Sequence, residues 1–350
     1  MKHAIVLVIA AALLWTAAGA AAQELGGQLT FAQAVELMYA NNTAIKIAEL
    51  NWEIAQLDYE KAVASNLMSG SQQSAMQAEH TLARAKNTYH SSLQNSYLEL
   101  LRAYTDVLAA AQSVTVRELE LTVAEHNYAV VKEQVRIGDA GKLDELSEMN
   151  RLEAARRNAD SAKRALAEKE RALRRLLGLT GDTPLNLAFD FGLPKLSLTL
   201  DECLEIGLEN STALWDQKQS LELQERQLET ARISGTPPLD LKRSELNLEI
   251  ARLNLESQEA EIVESITSAY YALADALSRY ESAEREWQIA QETYDIYKRQ
   301  AEAGLITDIQ LLQQQISFLN AQSSLQDAHV SYLVSYIQFH QSLGLDGTVQ

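Results

Sequence analysis

A single cysteine, Cys203, stands in a chain of 350 residues, so no disulfide can form within it. Proline is nearly as scarce. Its four copies are Pro184, Pro194, Pro237 and Pro238, which leaves 23–183 and 239–350 without any. Beyond residue 22 the histidines are His80, His90, His126, His329 and His340. None falls in a metal-ligand pattern such as His-Glu-x-x-His, so no metal site is expected. Cys203 lies in a short amphipathic run without a partner in sequence and reads as a small packed apolar residue. Lacking any site constellation, the chain reads as a non-enzyme without cofactors. Positive charge is also short: 30 Lys and Arg stand against 48 Asp and Glu, a net charge of -18. That balance excludes nucleic acid and anionic membrane surfaces as general partners of the chain. Long apolar runs are missing too. No stretch after residue 22 reaches 18 apolar residues, and no ten-residue segment alternates apolar with polar, so neither a spanning helix nor a membrane strand is expected.

The first 22 residues are a different matter. Lys2 and His3 precede an apolar run from Ala4 to Trp15, and Ala20-Ala21-Ala22 stands before Gln23. This is the pattern of a secretory signal peptide, with a run too short to span a bilayer. The protein is therefore expected in the periplasm.

What remains is rich in Ala, Leu, Glu, Gln and Arg, which favour helix. Glycine and proline mark where helices end. Thr30-Phe-Ala-Gln33, Thr199-Leu-Asp-Glu202 and Thr307-Asp-Ile-Gln310 are capping boxes, and Thr236 before Pro237 sets proline at a first helical position. The chain also repeats itself. Leu29, Thr30, Glu36, Asn41, Thr43 and Ala44 recur as Leu198, Thr199, Glu205, Asn210, Thr212 and Ala213. Farther on, Ala103-Tyr104 matches Ala269-Tyr270, Tyr128 matches Tyr294, Gly138 matches Gly304, and Leu177-Gly178-Leu179 matches Leu343-Gly344-Leu345. The organisation read from this is a signal peptide (1–22), a first helical repeat (23–179), a connector (180–197) and a second repeat (198–350). Each repeat holds a short helix (30–40; 199–209), a medium one (43–68; 212–233), a long one (72–137; 239–303) and a final one (141–178; 307–344). At 1.5 Å per residue the long helix and the medium and final helices together both come to roughly 100 Å. The expected layout stacks medium and final helices end to end beside the long one.

Heptad spacing supports side-by-side packing. Ile262, Ile266, Ala269, Leu273, Ala276, Tyr280, Ala283, Trp287, Ala290, Tyr294, Tyr297 and Ala301 step alternately by four and three, and all are apolar. The equivalent series runs from Ser96 to Val135, broken only by Ser96 and Arg117. A second apolar row at Val263, Tyr270 and Leu277 ends at Glu284. Wall helices of a tunnel need apolar seams on two flanks, whereas bundle helices need one.

These motifs carry a family resemblance. The stretch Leu29–Ile45, repeated from Leu198, resembles the opening of the outer-membrane efflux proteins, the TolC family. So do Gly138–Leu146 and Gly304–Leu312, and the Leu-Gly-Leu endings. In that family a Gly-x-x-Ser/Thr-x-x-Asp-like turn forms each periplasmic tip. Here Gly138, Gly141 and Asp144 fill the first tip, with glycine for the hydroxyl residue. Gly304, Thr307 and Gln310 fill the second, with glutamine for the acid. The resemblance implies an all-α, TolC-like tunnel protomer of long coiled-coil hairpins. It implies a homotrimeric duct, associated with the outer membrane, whose tips contact a periplasmic adaptor serving an inner-membrane pump. It also implies a β-barrel, with strands inserted between each medium and long helix. At those places this chain has only Ser69-Gly70-Ser71 and Ser234 to Pro238. The barrel is therefore expected to be absent, so that a separate outer-membrane protein would have to continue any conduit. The alternative is a structural coiled-coil protein of the envelope without conduit activity.

Overall fold

The computed structural model describes residues 28–69, 72–179 and 185–345; the expected signal peptide lies outside them. Eight helices follow one another there. They are α1 (Phe31–Asn41), α2 (Thr43–Ser69), α3 (Gln72–Ile137), α4 (Lys142–Leu177), α5 (Leu200–Asn210), α6 (Thr212–Ile233), α7 (Pro238–Glu302) and α8 (Asp308–Ser342). The second four repeat the first four in order and nearly in length, with bounds within two residues of those read in the sequence. Among the described residues there is no strand, only an isolated parallel bridge between Leu29 and Leu187. No described helix is long and apolar enough to cross a membrane. The α2–α3 connection holds only residues 70–71, and the α6–α7 connection only 234–237. A membrane strand needs about 9–11 residues, so neither connection can hold a strand pair.

Helix starts follow the capping boxes. Thr30 Oγ1 accepts from Gln33 N (3.3 Å), while Gln33 Oε1 accepts from Thr30 N (3.1 Å). Thr199 and Glu202 do the same at 3.4 and 2.8 Å. These bonds satisfy backbone donors that the first helical turn leaves unpaired.

The repeated motifs meet at repeated junctions. Asn41 donates from Nδ2 to Leu177 O at the end of α4 (2.8 Å), and Asn210 likewise to Leu343 O at the end of α8 (3.3 Å). The next residues, Gly178 and Gly344, have φ of 67° and 69°. A Cβ on Gly178 would lie 2.7 Å from Asn41 Cβ, and one on Gly344 2.8 Å from Asn210 Cβ. Glycine is required there twice over, by the left-handed backbone and by the close approach. Thus the similar Asn and Leu-Gly-Leu motifs, distant in sequence, are the two halves of one joint.

The chain divides into two compact units. One gathers the described residues up to Leu82 with Asn95–Phe191 and Gln291–Ser323; the other gathers Ala83–Gln94, Gly192–Ala290 and residues from Ser324 onward. In the first, α1 packs on α4. Phe31 meets Tyr97 and Tyr104 edge-on, both at 5.4 Å between centroids. The Tyr104 hydroxyl lies 2.6 Å from Leu29 O and accepts from Ala188 N at 3.0 Å. Burial pushes this phenol up to about 12. Antiparallel rungs join α3 to α4 at Asp106–Lys169 (2.6 Å), Glu118–Lys163 (2.9 Å) and Glu125–Arg156 (3.7 Å). Being exposed and screened by water, they set register more than stability. Gln112 on α3 also donates to Leu319 O of α8 (2.7 Å).

In the second unit a core of Cys203, Ile266, Leu273, Ala276, Tyr332, Phe339 and Leu343 is packed under α5, α7 and α8. Cys203 is a packed residue, as its isolation in sequence suggested, and burial raises its thiol. Gly207 explains itself here: a Cβ would come 2.2 Å from Ile266 Cδ1. Along α7 and α8, Tyr280 faces His329 and Tyr270 faces Phe339, an antiparallel register. Toward its start α7 instead pairs with α6, through Arg232–Glu245 (3.5 Å) and Glu225–Arg252 (3.8 Å). One long helix is thus flanked in turn by a medium and a final helix.

The joint can be tested directly. Gly178→Ala should cost about 1–2 kcal/mol for the left-handed backbone and about 1–3 kcal/mol more for the clash with Asn41. Gly138→Ala, where φ is 85° and nothing lies within 4 Å, should cost the backbone part alone. Urea denaturation of the two variants reads the difference, and equal losses would remove the joint as a reason for glycine at 178.

A pH dependence follows from two histidines. Burial holds His329 and His340 below the ordinary value of 6.5, in His329 against a hydrogen bond to Gly192 O. The unfolded chain binds their protons more readily, so their contribution is present above 6.5 and is lost as pH falls below it. The melting temperature should drop on mild acidification, and His340→Phe should shrink the drop. An unchanged acid sensitivity in that variant would refute the assignment.

Candidate functional site: the hairpin tips and the uncovered helix faces

Both tips are built the same way. At the end of α3, Asp139 N donates to Gln134 O (2.8 Å) and Gly138 N to Val135 O (3.2 Å). At the end of α7, Leu305 N donates to Gln300 O and Gly304 N to Ala301 O, both at 2.9 Å. This paired pattern closes a helix through a left-handed residue, and Gly138 and Gly304 supply it with φ of 85° and 69°.

The helices then restart. Gly141 has no side chain to offer, so Asp144 alone reaches back, its Oδ2 accepting from Gly141 N at 2.9 Å. In the second tip Gln310 Oε1 accepts from Thr307 N at 2.9 Å, and Thr307 Oγ1 accepts from Gln310 N at 3.3 Å. Acid and amide therefore do the same job, which explains why glutamine can stand where an acid is expected. Each restart joins two of the three residues singled out in its tip, and Gly138 and Gly304 stand apart from that bond. No hydrogen bond or ion pair links one tip to the other among the described residues. All six residues are exposed.

The sequence reading missed the apolar residues beside them. Ile137 is 62 % exposed, Leu143 81 % and Leu305 75 %. Glycine turns drew attention to the backbone, whereas these three side chains form the exposed apolar surface of the tips. A neighbouring ion pair, Glu133–Arg136, holds the carboxyl below and the guanidinium above its usual range.

Two helix faces are also uncovered. On α2, Ile47, Leu50, Ile54 and Leu57 are each more than half exposed, at alternating steps of three and four. On α7, Leu246, Ile250 and Leu253 form a similar row, also more than half exposed. By contrast, the seam from Ile262 to Ala301 is buried or half-buried at every position. In the second row beside that seam, Tyr270 and Leu277 are half-buried, packed with Leu193 and Leu196 of the connector against the second unit's core, and Val263 is exposed. Connector residues were invisible to a periodicity argument confined to one helix.

Local chemistry makes the tips tolerant. Gly141 has φ of -86°, and an added Cβ meets only Asp144 Oδ2, at 3.3 Å. Gly141→Arg should therefore change stability by under about 0.5 kcal/mol. Thr307→Arg loses a cap hydroxyl and should cost about 1 kcal/mol. Denaturation midpoints check both; a loss of several kcal/mol at Gly141 would show that the tip is buried in the folded protein.

Comparison with known proteins agrees with this architecture. Residues 239–345, which span α7, the second tip and α8, match the outer membrane efflux protein family. The fold is similar to the CmeC outer membrane channel of Campylobacter jejuni, with a TM-score of 0.62 at 14% identity over 90% of this chain and 85% of that one. It is similar to the outer membrane protein VceC of Vibrio cholerae, with a TM-score of 0.59 at 13% identity over 91% and 97%. It is also similar to the MtrE outer membrane channel of Neisseria gonorrhoeae, with a TM-score of 0.55 at 16% identity over 91% and 90%. A comparison with curated proteins finds no match. The fold is that of the helical part of TolC-like outer membrane efflux proteins, and residues 239–345 carry that family's sequence signature.

Proposed function

We propose that this protein is a periplasmic duct component of an efflux or type I secretion-like system, working as a homotrimer at the outer membrane. The observation that carries the reading is the pair of uncovered heptad rows, on α2 and on α7. Apolar rows at coiled-coil spacing are costly to leave in water, and a second copy of the same helical surface is their natural cover. Copies joined along such rows would form a ring of helices around a passage. The exposed apolar residues at the tips, Ile137, Leu143 and Leu305, suit docking against a helical hairpin of a periplasmic adaptor, which would join the duct to an inner-membrane pump. Gly138, Gly141, Asp144, Gly304, Thr307 and Gln310 shape that contact.

The short connections after α2 and α6 favour a second reading, an envelope strut without a conduit. The two readings part on association. As a duct component the purified protein should have the mass of a trimer, and Leu50→Glu with Leu57→Glu should reduce it to a monomer of unchanged helicity. A monomer at every concentration would leave only the strut. Combining Gly141→Arg with Thr307→Arg should abolish co-purification with an adaptor, and adaptor retained at wild-type level would reduce the tips to ordinary turns.

A further inference from the structure

The second unit contains a partly enclosed cavity of about 470 Å³ that none of the preceding roles uses. This is within the range of roughly 300–1,000 Å³ typical of small-molecule sites. One stripe of α7 forms its long wall. Tyr270, Leu277, Tyr280, Glu281 and Glu284 follow at helical spacing, so the wall changes from aromatic and aliphatic to acidic within about 21 Å. Tyr332, buried, closes the apolar part, and its hydroxyl donates to Pro194 O of the connector. That bond fixes the buried ring as backing for the cavity's apolar part.

The acidic end is unpaired. Glu281 is exposed, Glu284 is half-buried, and neither has an ion-pair or hydrogen-bond partner among the described residues. Glu284 faces the aromatic wall: its charge adds to burial in raising the Tyr280 phenol. Lys195, from the connector, lines the same cavity and opposes the two carboxylates without cancelling them. Two carboxylates against one ammonium leave the mouth negative, and tyrosine faces attract cations further.

We propose that this cavity binds small amphipathic organic cations, with the flat apolar body between Tyr270 and Leu277 of α7 and Leu193 and Leu196 of the connector, and the positive end toward Glu281 and Glu284. The site lies within one copy of the chain and does not depend on the duct reading.

The test uses the full mature chain and two fluorescent probes of nearly the same shape. N-methylacridinium carries a fixed positive charge, and acridine is neutral at slightly alkaline pH. Titration should show the cation binding roughly fivefold or more tightly, since the two carboxylates attract only the charged probe. Added salt should narrow the gap. Glu281→Gln with Glu284→Gln should bring the cation down to the affinity of acridine and leave acridine unchanged. Glu256→Gln with Glu259→Gln, an equal charge change elsewhere on α7, should preserve the preference. Lys195→Ala should tighten cation binding. Absence of cation binding, equal binding of the two probes, or a preference that survives in the cavity variant would each overturn the proposal. A preference lost equally in the control variant would do so too, because it would assign the effect to the net charge of the chain.

Discussion

Helices of the length of α3 and α7 cannot hide an apolar stripe by folding back within themselves. On α7, a helix of about 100 Å, the stripe repeating every 3.5 residues stays on one face for about 60 Å from Ile262 to Ala301 and must be covered there. Everything else answers that demand. No medium or final helix is long enough alone, so two of them must succeed one another along α7. They need a joint where one ends and the next begins, and the Asn210–Gly344 contact is that joint, repeated at Asn41 and Gly178.

That joint shows how a duplicated sequence becomes a duplicated mechanical part. An asparagine side chain ends one helix by bonding the last carbonyl of another, and a glycine lets the two backbones come within contact distance. The connector uses tyrosines in the same way. Tyr104 holds Leu29 and Ala188 through its hydroxyl, and Tyr332 holds Pro194. Hydroxyls of buried tyrosines therefore fix non-helical backbone that would otherwise lack partners.

Much of this was legible in the residues themselves. Capping boxes located helix starts, glycines located their ends, and the four-three spacing located the α7 seam, because each is a local or periodic signal. The tip turns were legible for the same reason. What escaped was whatever depends on a neighbour from elsewhere in the chain. Tyr270 and Leu277 had the spacing of a second seam, yet they share their surroundings with Leu193 and Leu196 of the connector. Ile47 to Leu57 had that spacing as well, and nothing in periodicity says which of two equal rows is left bare. Gln310 departed from the expected acid, but the bond it makes tolerates either oxygen.

The two-residue and four-residue connections after α2 and α6 bear on how copies of this chain would hold together. Strands inserted there could lace one copy to the next through backbone hydrogen bonds, a link that is hard to reverse once closed. Without them, only side chains would meet at the boundary. An assembly of that kind is governed by concentration: it forms when copies are crowded, dissolves on dilution, and exchanges members in between. A passage enclosed by copies held in that way, as proposed for this chain, would be an equilibrium object with a lifetime rather than a fixture.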